Sequence, residues 1–186
     1  MKEAAFLKAM VQKIHPRRVL EIGTGDGTSA LAIAEALPED GMLITCEINA
    51  GLAMLARKRA ARSAHAGKMD IRVGPALEIL PGLTGPFDFI FIDADTVNYV
   101  SYYQHAMALL APSGVLLIDN MQGLRLGSVD PKLDPAIAAI QELGRIIASD
   151  ARRKTEFVAV RSGVLVVSAA TLFKGSEKAD EASGRA

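Results

Sequence analysis

Short apolar runs alternate with amphipathic segments along most of the chain, and this alternation limits the possible folds more than any other feature. Five runs rich in Ile, Leu, Val and Phe have the length and composition of buried strands, at residues 18–23, 42–48, 69–74, 87–93 and 114–119. Most of the segments between them carry apolar residues at three-to-four spacing, which is typical of helices. Strand and helix in repeated order predict parallel strands with right-handed crossovers and helices on both faces. The predicted fold class is α/β, with a doubly wound and mostly parallel sheet.

The pattern changes after Asn120. A segment with Gly and Pro comes first, followed by one helical pattern and two apolar runs, at residues 136–149, 155–160 and 163–170. Only Arg161 and Ser162 separate the two runs, and so short a connection predicts an antiparallel hairpin at the end of the sheet. Residues 173–186 are mostly small and polar, which predicts a disordered tail after a single domain over residues 1–172.

Composition and charge argue against several classes of partner. The chain has 21 Lys and Arg against 21 Asp and Glu, so it lacks the basic excess of proteins that bind nucleic acid or anionic membranes. Cys46 is the single cysteine and has no partner for an intramolecular disulfide. The N-terminal stretch MKEAAFLKAMVQKI has apolar residues at helical spacing with lysines between them, and it lacks the continuous apolar segment of a signal peptide. We therefore expect a soluble cytoplasmic protein with neither nucleic-acid nor membrane partners.

A glycine-rich turn follows the first predicted strand, in the stretch EIGTGDGTSA. Gly23, Gly25 and Gly27 allow the backbone to turn sharply and to expose N–H groups at the start of a helix, where a nucleotide-like ligand can approach closely. Dinucleotide-binding oxidoreductases use such a turn too, so this feature alone does not fix the ligand. A nicotinamide fingerprint would have a glycine where Thr28 stands, and it does not require the acid Glu21 before the first glycine.

Two polar residues near the glycine turn each permit two interpretations. Glu47 ends the second predicted strand about twenty residues after the turn, where it would hold the two hydroxyls of a ribose or serve as an ordinary strand-end acid. Ser29, on the first turn of the following helix, would bind a ligand carboxylate or only its own helix backbone.

Carboxylates also follow two later strands. Asp93 ends the fourth predicted strand, and Asp119 with Asn120 ends the fifth, so the parallel sheet would bring all three to one edge. Such an all-oxygen set suits Mg²⁺, Mn²⁺ or Ca²⁺ better than Zn²⁺. The alternative is that Asp119 and Asn120 cap a turn while Asp93 meets a cofactor or solvent. The spacing by itself leaves both interpretations open.

Taken together, the pattern E-x-G-x-G-x-G, the acid after the second strand and the terminal hairpin resemble class I S-adenosylmethionine-dependent methyltransferases. The string FIDAD…NY…YY, followed by a strand that ends in Asp-Asn, is similar to cation-dependent O-methyltransferases of the catechol and caffeoyl-coenzyme A type. The resemblance is strong over residues 15–120 and weak over 121–170. It implies a Rossmann-like fold with a C-terminal antiparallel hairpin.

The resemblance also implies a set of functional residues. S-adenosylmethionine would be bound by Glu21, Gly23, Gly25, Ser29, Glu47, Gly74, Ala76 and Asp93. A divalent cation, most simply Mg²⁺, would be held by Asp93, Asp119 and Asn120, with Asp93 also counted as catalytic. The reaction implied is methyl transfer to a hydroxyl of a small-molecule acceptor, and relatives of this type are commonly homodimers.

One departure from the family concerns the base. The family has a lysine three residues after the first aspartate, thought to take the proton of the acceptor hydroxyl, and this chain has Thr96, which is no base near neutral pH. The metal could acidify the hydroxyl by itself, another residue could be the base, or the chemistry could have changed. The last case leads to an alternative function, a non-catalytic or altered-chemistry module that binds S-adenosylmethionine.

Two other departures concern the acceptor pocket. Residues 1–17 precede the first predicted strand, whereas relatives carry further N-terminal helices over the active site, so we expect an open pocket or one completed by a partner subunit. Met121 and Gln122 follow Asp-Asn where the family has aromatic residues. The acceptor therefore need not be a flat catechol.

Overall fold

The computed structural model describes residues 3–126, 130 and 132–173, which contain six α-helices and seven strands. In chain order these are α1 (Glu3–Ile14), β1 (Arg18–Ile22), α2 (Thr28–Ala36), β2 (Met42–Glu47), α3 (Ala50–Ala60), β3 (Met69–Val73), α4 (Ala76–Ile79), β4 (Phe87–Ile92), α5 (Tyr99–Leu109), β5 (Leu110–Ile118), α6 (Pro135–Ala148), β6 (Lys154–Val158) and β7 (Val164–Ser168). All five strands predicted between residues 18 and 119 are present, with β5 beginning four residues earlier than its apolar run suggested. Apart from Phe173, the predicted C-terminal tail lies outside the described residues.

The strands form one seven-stranded sheet in the order β3-β2-β1-β4-β5-β7-β6. Strands β1 to β5 are parallel, and β7 runs antiparallel to both of its neighbours. The predicted α/β class, with a mostly parallel sheet and a C-terminal antiparallel hairpin, is confirmed. The chain leaves β1 toward β2 and returns at β4, so the strand order reverses between β1 and β4. In sheets of this kind ligands bind at the carboxyl ends of the strands beside that reversal.

The central strands are apolar on both sides because helices cover both faces of the sheet. In β4, Phe89 and Phe91 point into one hydrophobic core while Ile90 and Ile92 point into the other, and all four are fully buried. This two-residue alternation explains why the sequence FDFIFI reads as a continuous apolar run. The two cores together fix the register of β1, β4 and β5 and hence the positions of the residues that follow them.

Helix α1 packs along α2 and brings its first residue, Glu3, toward the carboxyl edge of the sheet. Its buried face consists of Phe6, Leu7, Met10 and Val11. Phe173 stacks on Phe6 with ring centroids 6.4 Å apart, so the chain after β7 returns to this helix.

Within the described residues, no helix combines the length and the apolar character that a membrane crossing requires.

Candidate functional site

The glycine-rich turn after β1 passes very close to the end of β4. Gly23 has a φ of 99°, and a Cβ atom added there would lie 1.9 Å from the carbonyl oxygen of Asp93. The N–H groups of Gly23 and Thr24 both donate to the carbonyl of Cys46, at 3.0 and 3.1 Å, and so fix the turn to β2. Only glycine fits at position 23, because the backbone conformation and the close approach both exclude a side chain.

Glu47 joins the end of β2 to the same turn. Its carboxylate accepts the N–H of Gly25 at 2.7 Å and the N–H of Asn49 at 2.8 Å. The side chain is largely buried, yet each oxygen keeps a lone pair for a further donor. This position matches what a ribose site needs, a carboxylate held rigidly beside a glycine turn.

A cavity of about 370 Å³ opens at the carboxyl edge of the sheet beside the strand reversal. Its walls include six of the residues predicted to bind a cofactor, Gly23, Gly25, Glu47, Gly74, Ala76 and Asp93. The loop after β3 is fixed to β2 because the N–H of Gly74 donates to the carbonyl of Glu47 at 2.9 Å. The volume lies in the range of small-molecule and cofactor sites.

The remaining two predicted cofactor residues lie outside this cavity. Ser29 is half-buried and lines a second cavity, on the other side of the glycine turn. Glu21 is fully buried behind the turn, where its carboxylate accepts a hydrogen bond from the Thr45 hydroxyl at 2.5 Å. The Thr24 and Thr45 hydroxyls lie 2.6 Å apart, so a buried chain of hydrogen bonds links the turn to Glu21. Thr24 and Thr45 belong to no motif, so these hydrogen bonds could not be predicted from the sequence.

Burial raises the pKa of Glu21 to about 8, against the opposing effect of the Ser29 and Thr45 hydroxyls. The folded protein therefore keeps this proton while the unfolded chain releases it near the ordinary value of 4.5. Stability contributed by the neutral carboxyl is complete below pH 4.5 and is lost as the pH rises toward 8.

We expect Glu21→Gln to make the folded protein more stable than the parent at pH 8, by up to about 5 kcal/mol. Glutamine has nearly the same shape, accepts the Thr45 hydroxyl and has no proton to lose. Urea unfolding between pH 4.5 and pH 8 should show a flattened pH dependence for this variant. The exposed Glu39→Gln is the matched control and should follow the parent, whereas parallel curves for parent and Glu21→Gln would contradict a buried neutral carboxyl.

Asp93, Asp119 and Asn120 meet at the ends of β4 and β5. The Asn120 side-chain amide donates to Asp93 Oδ1 at 2.9 Å, and its backbone is left-handed with a φ of 60°. Asp119 is fully buried, and neither of its carboxylate oxygens has a hydrogen-bond partner among the described residues. Burial raises the pKa of Asp119 to about 6; the nearby backbone N–H of Asn120 opposes the rise without a hydrogen bond of regular geometry, and the charge of Asp93 adds to it. A buried carboxylate without hydrogen bonds is costly, and such groups are normally paired closely or bound to metals.

Two residues for which the sequence predicted no functional role complete this corner. Carboxylate oxygens of Glu3, Asp93 and Asp119 all lie within 4.8 Å of one another. Arg161, in the connection between β6 and β7, forms an ion pair with Glu3, and its Nη1 lies 4.0 Å from Asp119 Oδ2. Glu3 and Arg161 are 158 positions apart in the chain, so only the packing of α1 on the sheet brings them together. The oxygen-only donor set fits a hard divalent cation.

Thr96 begins a short 3₁₀ turn, Thr96–Asn98, directly before α5. The neighbouring Asp95 accepts the Tyr102 hydroxyl at 2.6 Å and also the Asn98 side-chain amide, so it holds this loop beside the cavity. At the position where the family has a lysine, this loop carries the hydroxyl of Thr96.

Comparison with known proteins identifies the family. A family model described as O-methyltransferase matches residues 1–170. The chain belongs to this family of S-adenosylmethionine-dependent O-methyltransferases. It is 34% identical to the catechol O-methyltransferase of Niastella koreensis over 154 residues, which cover 80% of this chain and 69% of that protein. It is likewise 34% identical to caffeoyl-CoA O-methyltransferase 1 of Eucalyptus globulus over 175 residues, 87% of this chain and 70% of the relative.

Solved structures agree with the family. The O-methyltransferase TomG from Streptomyces achromogenes, in complex with SAM, has a TM-score of 0.82 at 28% identity, covering 89% of this chain and 78% of that one. An O-methyltransferase from Bacillus cereus in complex with SAH has a TM-score of 0.80 at 30% identity, covering 89% and 80%. The resemblance to class I methyltransferases is therefore confirmed, and this O-methyltransferase shares their fold.

Proposed function

We propose that this O-methyltransferase transfers the methyl group of S-adenosylmethionine to a hydroxyl of a small-molecule acceptor, with a divalent cation held by Asp93, Asp119 and Asn120. The observation that carries the proposal is the fully buried Asp119, which lies next to the Asp93–Asn120 pair and whose carboxylate has no hydrogen-bond partner among the described residues. We further propose, on the resemblance alone, that the protein is a homodimer, which sedimentation analysis tests.

The cofactor half of the proposal rests on the cavity at the glycine turn. Gly25 has a φ of 55°, and a Cβ atom there would meet no described atom within 4 Å, so a ligand can lie directly against its backbone. Glu47 faces this space with acceptor capacity for ribose hydroxyls, and Ala76 lines it as a small apolar residue. Gly23, Gly25 and Asp93 line both cavities, which supports a junction between cofactor and acceptor at these residues.

The cation half rests on the donor set. Asp93, Asp119 and the amide oxygen of Asn120 offer hard oxygen ligands, which suit Mg²⁺, Mn²⁺ or Ca²⁺. A divalent cation bound there would lower the pKa of an acceptor hydroxyl and orient it. The glycine turn, supported by the buried hydrogen bonds from Thr24 through Thr45 to Glu21, would hold the cofactor in place. The protein would then contribute to the reaction by positioning the cofactor and the acceptor. In the transfer, the acceptor oxygen would bond to the methyl carbon, the methyl–sulfur bond would break with its electron pair left on sulfur, and the hydroxyl proton would pass to solvent water.

Calorimetric titration with S-adenosylhomocysteine tests the cofactor site. We expect Glu47→Gln to weaken binding by about 10-fold to 100-fold, the loss of one or two charge-assisted hydrogen bonds. Glu35→Gln is the matched control, because Glu35 pairs with Lys8 on the outer side of α2. Thermal unfolding of both variants separates lost binding from lost folding. If the parent protein itself binds no S-adenosylhomocysteine, the proposed function is wrong.

Thr96 favours a second candidate function, a module that binds S-adenosylmethionine without transferring its methyl group. Thr96, which begins the short 3₁₀ turn before α5, has a hydroxyl that is no base near neutral pH. Methyl transfer assayed across a panel of hydroxylated acceptors decides between the two candidates. Turnover by the parent supports the enzyme, and turnover by Thr96→Lys alone supports a protein that has lost its base.

A further inference from the structure

Arg161 occupies an unusual position in the connection between β6 and β7. Its φ is 47°, in the left-handed region that L-residues with long side chains rarely adopt. A residue held in this region costs about 1 kcal/mol or more, and such residues cluster at functional sites. A backbone hydrogen bond helps to hold this connection in place, because the N–H of Met121 donates to the carbonyl of Gly163 at 2.8 Å.

The side chain of Arg161 is directed toward the carboxylate corner. It forms an ion pair with Glu3, and Nη1 lies 4.0 Å from Oδ2 of Asp119. The Asp119 side chain is fully buried, that of Glu3 is 12% exposed, and that of Arg161 is 53% exposed. The guanidinium therefore lies at the outer mouth of the corner, with the carboxylates beneath it.

We propose that Arg161 is a built-in competitor of the divalent cation, a proposal that rests on the cation half of the proposed function. In the metal-free protein Arg161 holds Glu3 and partly neutralises the corner. When a cation binds Asp93, Asp119 and Asn120, it repels the guanidinium, which moves toward solvent. The released Glu3 carboxylate then becomes a further ligand of the cation. The grouping of the Glu3, Asp93 and Asp119 oxygens within 4.8 Å supports this exchange, since one ion can contact all three.

The exchange follows from the charges. The three carboxylates outnumber the single guanidinium of Arg161, so the corner keeps an excess of negative charge. This excess attracts a metal cation in addition to the guanidinium. Two cations a few ångströms apart then repel each other, and the more exposed one is free to leave. Arg161 is more than half exposed and sits on a connection between strands, so it can move without disturbing the sheet.

Titration of the protein with Mn²⁺, followed by the electron paramagnetic resonance signal of free Mn²⁺, tests the proposal without any assay of activity. We expect Arg161→Gln to bind Mn²⁺ about tenfold more tightly than the parent, because the competing charge is gone. Arg161→Lys keeps the charge and should bind much as the parent does. Arg152→Gln is the control for a lost surface charge, since Arg152 pairs with Asp150 just before β6, at the opposite edge of the sheet.

The role of Glu3 is tested in the background without the arginine. Glu3→Gln added to Arg161→Gln should weaken Mn²⁺ binding about tenfold, and an unchanged affinity would show that Glu3 is not a ligand. Equal affinities for parent and Arg161→Gln would overturn the competition while leaving the proposed cation site intact. If neither protein binds Mn²⁺, the cation half of the proposed function fails as well. Circular dichroism of each variant confirms that it is folded.

Discussion

Gly23→Ala is expected to destabilise the protein by about 3 kcal/mol or more and to abolish cofactor binding in what remains folded. The added Cβ would lie 1.9 Å from the carbonyl oxygen of Asp93 and 2.7 Å from its carbonyl carbon, both backbone atoms that no rotamer change can move. Relief requires the end of β4 to move away from β1, and Asp93 would move with it. Urea unfolding measures the loss of stability, and calorimetry with S-adenosylhomocysteine measures the loss of binding.

Gly25→Ala provides a contrast within the same turn. Its φ of 55° costs an alanine about 1 kcal/mol, but the new methyl group meets no described protein atom within 4 Å. This variant should fold and lose affinity, because its methyl group occupies space in the cofactor cavity. Gly82→Ala, whose Cβ also meets nothing and whose φ is not positive, should match the parent in both measurements. If Gly23→Ala proves as stable as Gly25→Ala, the close approach of the turn to β4 is wrong.

The succession of strands along the chain and the positions of the glycine turn and acidic strand ends could be predicted because each depends on local pattern. Apolar runs covered on both faces show strands by composition alone, and in a parallel sheet the residues that follow them must share one edge. That geometry was enough to bring Asp93, Asp119 and Asn120 together, as the hydrogen bond between Asp93 and Asn120 shows. The hairpin of β6 and β7 followed from the shortness of its connection.

Glu3 and Arg161 could not be predicted, because their proximity depends on how α1 packs on the sheet and on a left-handed residue in a short connection. Neither circumstance leaves a periodic pattern in the sequence. The same holds for Thr45, which reaches Glu21 only because β2 lies beside β1 in a register that aligns the two residues. Contacts that join distant elements through single side chains can be identified only from the packed structure.

Asp119→Asn is expected to raise the stability of the metal-free protein by about 1 to 3 kcal/mol while removing its response to metal. The carboxylate is fully buried without a hydrogen-bond partner in the described structure, and the half-exposed Arg161 guanidinium 4.0 Å away offsets its charge only in part, so the charge destabilises the fold when no cation is bound. Asparagine has nearly the same shape and no charge. A substitution that stabilises the fold and at the same time abolishes activity is typical of a functional site.

Thermal unfolding with and without Mg²⁺ or Mn²⁺ measures both effects, and we expect the metal-induced rise in Tm to vanish in Asp119→Asn. Methyl transfer by this variant should fall by about 100-fold or more, since the cation would lose its most deeply buried ligand. Asp40→Asn is the control, because Asp40 is well exposed and pairs only with Arg17 in the described contacts. A variant that keeps both the metal response and the rate would show that the reaction proceeds without a cation at Asp119. In that case the buried carboxylate would require another explanation, for which its pairing with Arg161 is the first to examine.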